Sequence, residues 1–101
     1  MNDQPATQAE LSRLHARSQH LELQAIEAAV HLRATRRTLQ ALEARAQSEQ
    51  LTIDERAQLK GLLEREARLR NQAADVAQEQ RVLQFQIRTR EVQRTGEVLR
   101  S

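Results

Sequence analysis

Two ladders, each stepping alternately by three and four residues, run through the chain and constrain its fold more than any other feature. The first is Leu11, Leu14, Ser18, Leu21, Ala25, Ala28, Leu32, Thr35, Leu39, Leu42 and Ala46. The second is Leu59, Leu62, Glu66, Leu69, Ala73, Val76, Gln80, Leu83, Ile87, Arg90 and Arg94. Such a repeat lays one stripe along an α-helix, which is then buried against a matching stripe. When the chain is folded in half, rungs whose residue numbers add to 101 face each other: Leu14 with Ile87, Leu32 with Leu69, Leu39 with Leu62, Leu42 with Leu59. The pattern predicts an all-α fold, a long antiparallel two-helix coiled-coil hairpin. A single seam encloses no core, so burial per residue is low. The hairpin is therefore expected to pack into a four-helix bundle, by dimerisation or by binding a partner.

Composition agrees, since one Phe, no Trp or Tyr, two Gly and one Pro in 101 residues lack the aromatic and turn content of a β domain. Two capping boxes mark helix starts about half a chain apart, Thr7-Gln8-Ala9-Glu10 and Thr52-Ile53-Asp54-Glu55. Asp54 and Glu55 also put negative charge on the first turn of the second helix, where the dipole favours it. Gly96 reads as a C-terminal stop. The expected layout is a flexible segment 1–7, helices over about 8–47 and 53–95 joined by a tip at 48–52, and a flexible tail 96–101. Each helix would be roughly 60 Å long at about 1.5 Å per residue. The tip lacks Gly and Pro, which leaves open a single continuous helix, or a domain-swapped form, pairing the same rungs between chains.

The seam is uneven. Leu meets Leu near the tip, whereas the middle pairs Ala25 with Val76 and Ala28 with Ala73, small residues that form a narrow waist. Thr35 faces Glu66 and Leu21 faces Gln80, polar positions that cost stability but set register. Toward the open end Leu11 meets Arg90, and the ladder decays to Arg94, so this end is expected to fray or to dock elsewhere.

Apolar residues also fall on faces that the seam cannot use. Leu23, Ile26 and Val30 point away from it on the first helix; Val82, Phe85 and Val92 form an outer stripe on the second, with the only aromatic residue at its centre. Contiguous exposed apolar surface marks interfaces, and these six are the expected protein-binding residues.

Chemistry is sparse by comparison. The absence of cysteine removes disulfides and thiolates. His20, Glu27 and His31 share a helix face, but no Glu-x-x-His or His-Glu-x-x-His pairing accompanies them, so no metal is expected. With no glycine-rich phosphate loop and no catalytic constellation, neither an enzyme nor a cofactor or small-molecule substrate is expected. The charge balance is +2, from 16 basic and 14 acidic residues. Arg33, Arg36 and Arg37, and separately Arg81, Arg88, Arg90 and Arg94, are the candidates for phosphate contacts, and a small basic regulatory or nucleic-acid-binding protein is the alternative they support. Residues 1–7 are polar and acidic, and no stretch approaches the ~18 apolar residues of a membrane span, so no membrane association and a cytoplasmic location are the default expectations.

The expected function is thus a non-enzymatic interaction or adaptor protein, docking a second copy or a helical partner through its outer faces. In length and shape alone, the expected hairpin resembles the small coiled-coil stalk and chaperone proteins of bacterial export machines, which implies a component of such a machine as a further alternative.

Overall fold

The computed structural model describes the backbone of residues 4–100 and the side chains of 8–96; residues 1–3 and 101 lie outside the described part. Two helices, α1 (Gln4–Ser48) and α2 (Ile53–Arg100), pack against each other as a hairpin. The chain divides into two compact units, one formed by the helix ends, up to Gln24 and from Val76, the other by Ala25–Asp75.

In the Ala25–Asp75 unit, Ala28, Thr35, Leu39 and Leu42 of α1 are buried, against half-buried Leu59, Leu62, Glu66, Leu69 and Ala73 of α2. The numbers of the ion-paired Arg36 and Glu66 add to 102, and those of Arg45 and Glu55 to 100, so both pairs straddle the expected register. Among the described residues Thr35 is the one buried polar side chain, only 5% exposed. Glu66 escapes isolation because Arg36 Nε lies 3.3 Å from one of its oxygens and Arg70 Nη2 lies 3.4 Å from the other.

In the unit of the helix ends, Leu11, Leu21, Val76, Leu83 and Ile87 are buried, and Leu21, at 1% exposure, is the most enclosed. Gln84 Nε2 donates to Ser18 Oγ across the seam at 3.3 Å. The pair Arg17–Glu79 (2.9 Å) adds to 96 and His15–Glu91 (3.6 Å) to 106. These lie five below and five above the seam value, as expected for residues flanking a 101 register on its two sides. Burying a Leu, Val or Ile here stabilises by about 1.5–3 kcal/mol. Arg90 leaves its rung: it is exposed and places Nη1 3.1 Å from Glu10 Oε2, an oxygen otherwise closed off from solvent. Arg94 is likewise exposed, and so is Ala46 at the far end of the first ladder.

Both outer helix boundaries differ from expectation. α1 begins at Gln4 rather than Gln8, so Thr7 lies inside the helix and does not start it. Pro5 falls in the first turn, where a residue without an N–H leaves no helical hydrogen bond unmade, and the helix can therefore begin upstream. α2 runs through Gly96 to Arg100, and Gly96 lacks the positive φ of a left-handed stop. The backbone of 4–7 and of 96–100, expected to be flexible, is thus helical.

The tip needs neither Gly nor Pro because no described residue adopts positive φ. Residues 49–52 close the turn with local hydrogen bonds. The Glu49 N–H donates to the Arg45 carbonyl at 2.8 Å, Ser48 Oγ donates to the same carbonyl at 3.3 Å, and Arg56 Nε donates to the Leu51 carbonyl at 3.3 Å. Leu51 itself is buried. The second capping box forms as expected: the Thr52 N–H donates to Glu55 Oε1 (3.0 Å), and the Glu55 N–H donates to Thr52 Oγ1 (3.1 Å). Arg45, in the last turn of α1, ion-pairs with Glu55 across the turn and also lies 3.7 Å from Glu49. The hydrogen bond from the Thr52 backbone, then that from its side chain and the charge of Arg45, hold the Glu55 carboxyl below its ordinary value of 4.5 against an opposing desolvation effect.

Thr52→Ala should therefore lower the unfolding free energy by about 1 kcal/mol, measured by denaturant titration followed by circular dichroism. Because the Glu55 carboxyl is lowered in the fold, its stabilisation is complete above pH 4.5 and lost as pH falls through the lowered value. The stability gap between the wild type and Glu55→Gln should accordingly close in acid; a gap constant down to pH 2 would contradict the tip geometry. A Cβ at Gly61, inside α2, would meet nothing within 4 Å. Gly61→Ala should raise stability by roughly 0.5–1 kcal/mol in the same titration.

Candidate interaction faces

A residue two positions from a rung points about 200° around its helix. Leu23 follows Leu21 by two, Val30 follows Ala28, Phe85 follows Leu83 and Val92 follows Arg90, so none of these four can reach the seam. The structure leaves Leu23, Ile26 and Val30 on α1 and Val82, Phe85 and Val92 on α2 all between 48% and 71% exposed. Thr89 continues the spacing of the α2 stripe between Phe85 and Val92. Its Oγ1 donates to the Phe85 carbonyl at 2.9 Å, which ties the hydroxyl to the backbone and reduces the polarity of the stripe.

The α2 stripe adjoins a shallow open groove between the helices in the unit of the helix ends. Leu14, Leu21 and Leu83 line its apolar part, Val82 and Phe85 stand beside it, and the ion pairs Glu10–Arg90 and Arg17–Glu79 cross it. A helix laid over Val82 and Phe85 would also cover part of this floor.

Two further exposed apolar residues, Ile53 (82%) and Leu63 (47%), were not among those expected. The signals were present. Ile53 directly follows the cap residue and precedes the first rung of α2, and in the doubled Leu62-Leu63 only one side chain can occupy the ladder.

The Arg candidates are divided between the units and partly committed. Arg36 pairs with Glu66, Arg90 pairs with Glu10, and Arg81 Nη2 donates to Gln78 Oε1 at 2.6 Å. Arg33, Arg37, Arg88 and Arg94 have no ion pair among the described residues. His20, Glu27 and His31 are exposed on α1, and among the described residues no group of three or more His, Asp or Glu side chains is placed to hold a metal ion. No described helix is long and apolar enough to cross a membrane.

Comparison with protein families, with characterised proteins and with solved structures finds no match to this chain.

If the Arg clusters do not form a phosphate-binding surface, a salt-titrated gel shift with duplex and single-stranded probes should show no retardation even at low salt. Retardation that weakens steeply with salt would instead mark the Arg side chains as a nucleic-acid surface.

Proposed function

We propose that this protein is a non-enzymatic helical-hairpin adaptor that docks a second helical element through the outer faces of α1 and α2. The supporting observation is the exposure of six large apolar side chains on faces that the hairpin's own seam cannot cover. Leaving such surface in water is unfavourable by about 25 cal/mol per Å² of apolar area, and burial of its central residues under a partner helix recovers that energy. Ile26 and Phe85 are the anchors, each at the middle of its stripe. The seam gives the two faces a fixed support, and the adaptor is a coiled coil in its packing. The cytoplasm is its proposed setting.

Light scattering coupled to size exclusion, with refractive-index detection because the chain has no Trp or Tyr, tests the reading. The wild type should exceed the 11.6 kDa of one chain. Combined Ile26→Glu and Phe85→Glu should weaken the association by at least about 100-fold while preserving helicity by circular dichroism. The reading fails if both proteins run as monomers and immobilised wild type and variant retain the same cellular proteins equally. Loss of helicity on substitution would show instead that the stripes belong to the hairpin's own core.

A further inference from the structure

We infer that the occupant of these faces is a second copy of this chain, docked heterologously: the α1 stripe of one copy lies parallel on the α2 stripe of the next. This rests on the adaptor reading and names its partner. In the proposed register, residue n of α1 lies beside residue n + 59 of α2. Leu23 meets Val82, Ile26 meets Phe85 and Val30 meets Thr89, because both stripes step by three and then four residues. One turn further, Arg33 lays its methylenes along Val92 with its charge in water.

Opposite charge beside the two stripes favours pairing α1 with α2. In a parallel helix pair, the residue before a core position meets the partner residue five places beyond its equivalent. Arg81 therefore meets Glu27, Glu22 meets Gln86 and Arg88 meets Ala34, with no like charges opposed. Glu27 and Arg81 are both exposed and have no ion pair among the described residues of their own chain.

The competing arrangements are poorer. Pairing the α2 stripe with itself, antiparallel, with Val82 on Val92 and Phe85 on Thr89, sets Arg81 of one copy against Arg88 of the other. Pairing α1 with itself with Ile26 on Val30 sets Glu27 against Ala34 and Glu22 against Ala29, with no attractive pair, and with Leu23 on Val30 it places Ile26 against Glu27. An antiparallel α1–α2 contact with Val30 on Phe85 brings Glu22 to Arg88 but separates the two anchors, placing Ile26 on Thr89. The Arg–Arg contact is destabilising, whereas the parallel contact has an attractive pair at its rim and sets the two anchors against each other. Donor and acceptor stripes are different surfaces, so a single such contact leaves one stripe of each copy uncovered. It extends to a ring or an open series.

The chain contains no cysteine, so single-cysteine variants report proximity without background. Val30→Cys and Thr89→Cys sit in one proposed layer and leave both anchors intact. On mild oxidation, a mixture of the two variants should form disulfide-linked dimers several times faster than either variant alone. A Thr89→Cys or Val30→Cys protein that crosslinks to itself as fast as the mixture overturns the heterologous pairing while leaving the adaptor reading in place. Absence of crosslinking together with an 11.6 kDa wild type at every concentration overturns the second copy as occupant; the retention arm of the anchor-variant experiment judges the adaptor reading separately. Arg81→Glu should weaken self-association roughly two- to fivefold, and adding Glu27→Arg should restore it. Failure of that restoration rejects the register.

Discussion

A hairpin of two helices has one line of mutual contact, and the rest of the molecule follows from that limit. Only two positions in seven can lie on the seam, so almost all the burial falls on the ladder rungs, with Leu21, Ala28 and Leu39 the most enclosed. Everything else is either rim or surface. Apolar residues two positions off a rung have no place in such a molecule except in water, and this chain places six large ones there. They are therefore surplus to the fold.

The polar interruptions of the seam act on register more than on stability. Thr35 and Glu66 occupy rungs that a maximally stable seam would fill with Leu. Glu66 lies between Arg36 and Arg70, and such partly exposed pairs contribute little free energy, about 0–1 kcal/mol. A slip of the helices by one turn would separate Arg36 from Glu66 and would move Leu21 and Leu39 off their partners. Specificity here comes from what a wrong register would lose. At the tip, Arg45 and the Thr52–Glu55 box serve the same purpose by holding the two helix ends in one geometry.

How much was legible in the sequence differs by feature for physical reasons. The helix pairing was readable, apart from the exposed end rungs Ala46, Arg90 and Arg94, because helical periodicity repeats over 36 residues in each ladder and errors in any one position are averaged out. The box at Thr52 was readable because nothing competes with it. The similar box at Thr7 was misleading, since Pro5 is compatible with a first turn and the helix continues past the motif in the N-terminal direction. Gly96 was misleading for the complementary reason: glycine permits a left-handed stop but does not require one. The burial of Leu51 and the turn of Arg90 toward Glu10 depend on side-chain reach across the rim, to which periodicity is blind. The outer stripes follow from the seam periodicity, whereas Ile53 and Leu63 belong to no repeating pattern.

The charges divide in the same way as the apolar residues. Those beside the seam, Glu10, Arg17, Arg36, Glu66, Glu79 and Arg90, are matched within the chain and specify how its own helices pair. Those beside the outer stripes, Glu22, Glu27, Arg81 and Arg88, have no ion pair among the described residues. An exposed charge next to exposed apolar surface rejects partners that present the same sign and orients those that present the opposite one. The apolar stripes by themselves would accept many amphipathic helices. The α1 stripe is flanked by acidic Glu22 and Glu27 and the α2 stripe by basic Arg81 and Arg88, so a helix with basic flanks suits the first and one with acidic flanks the second.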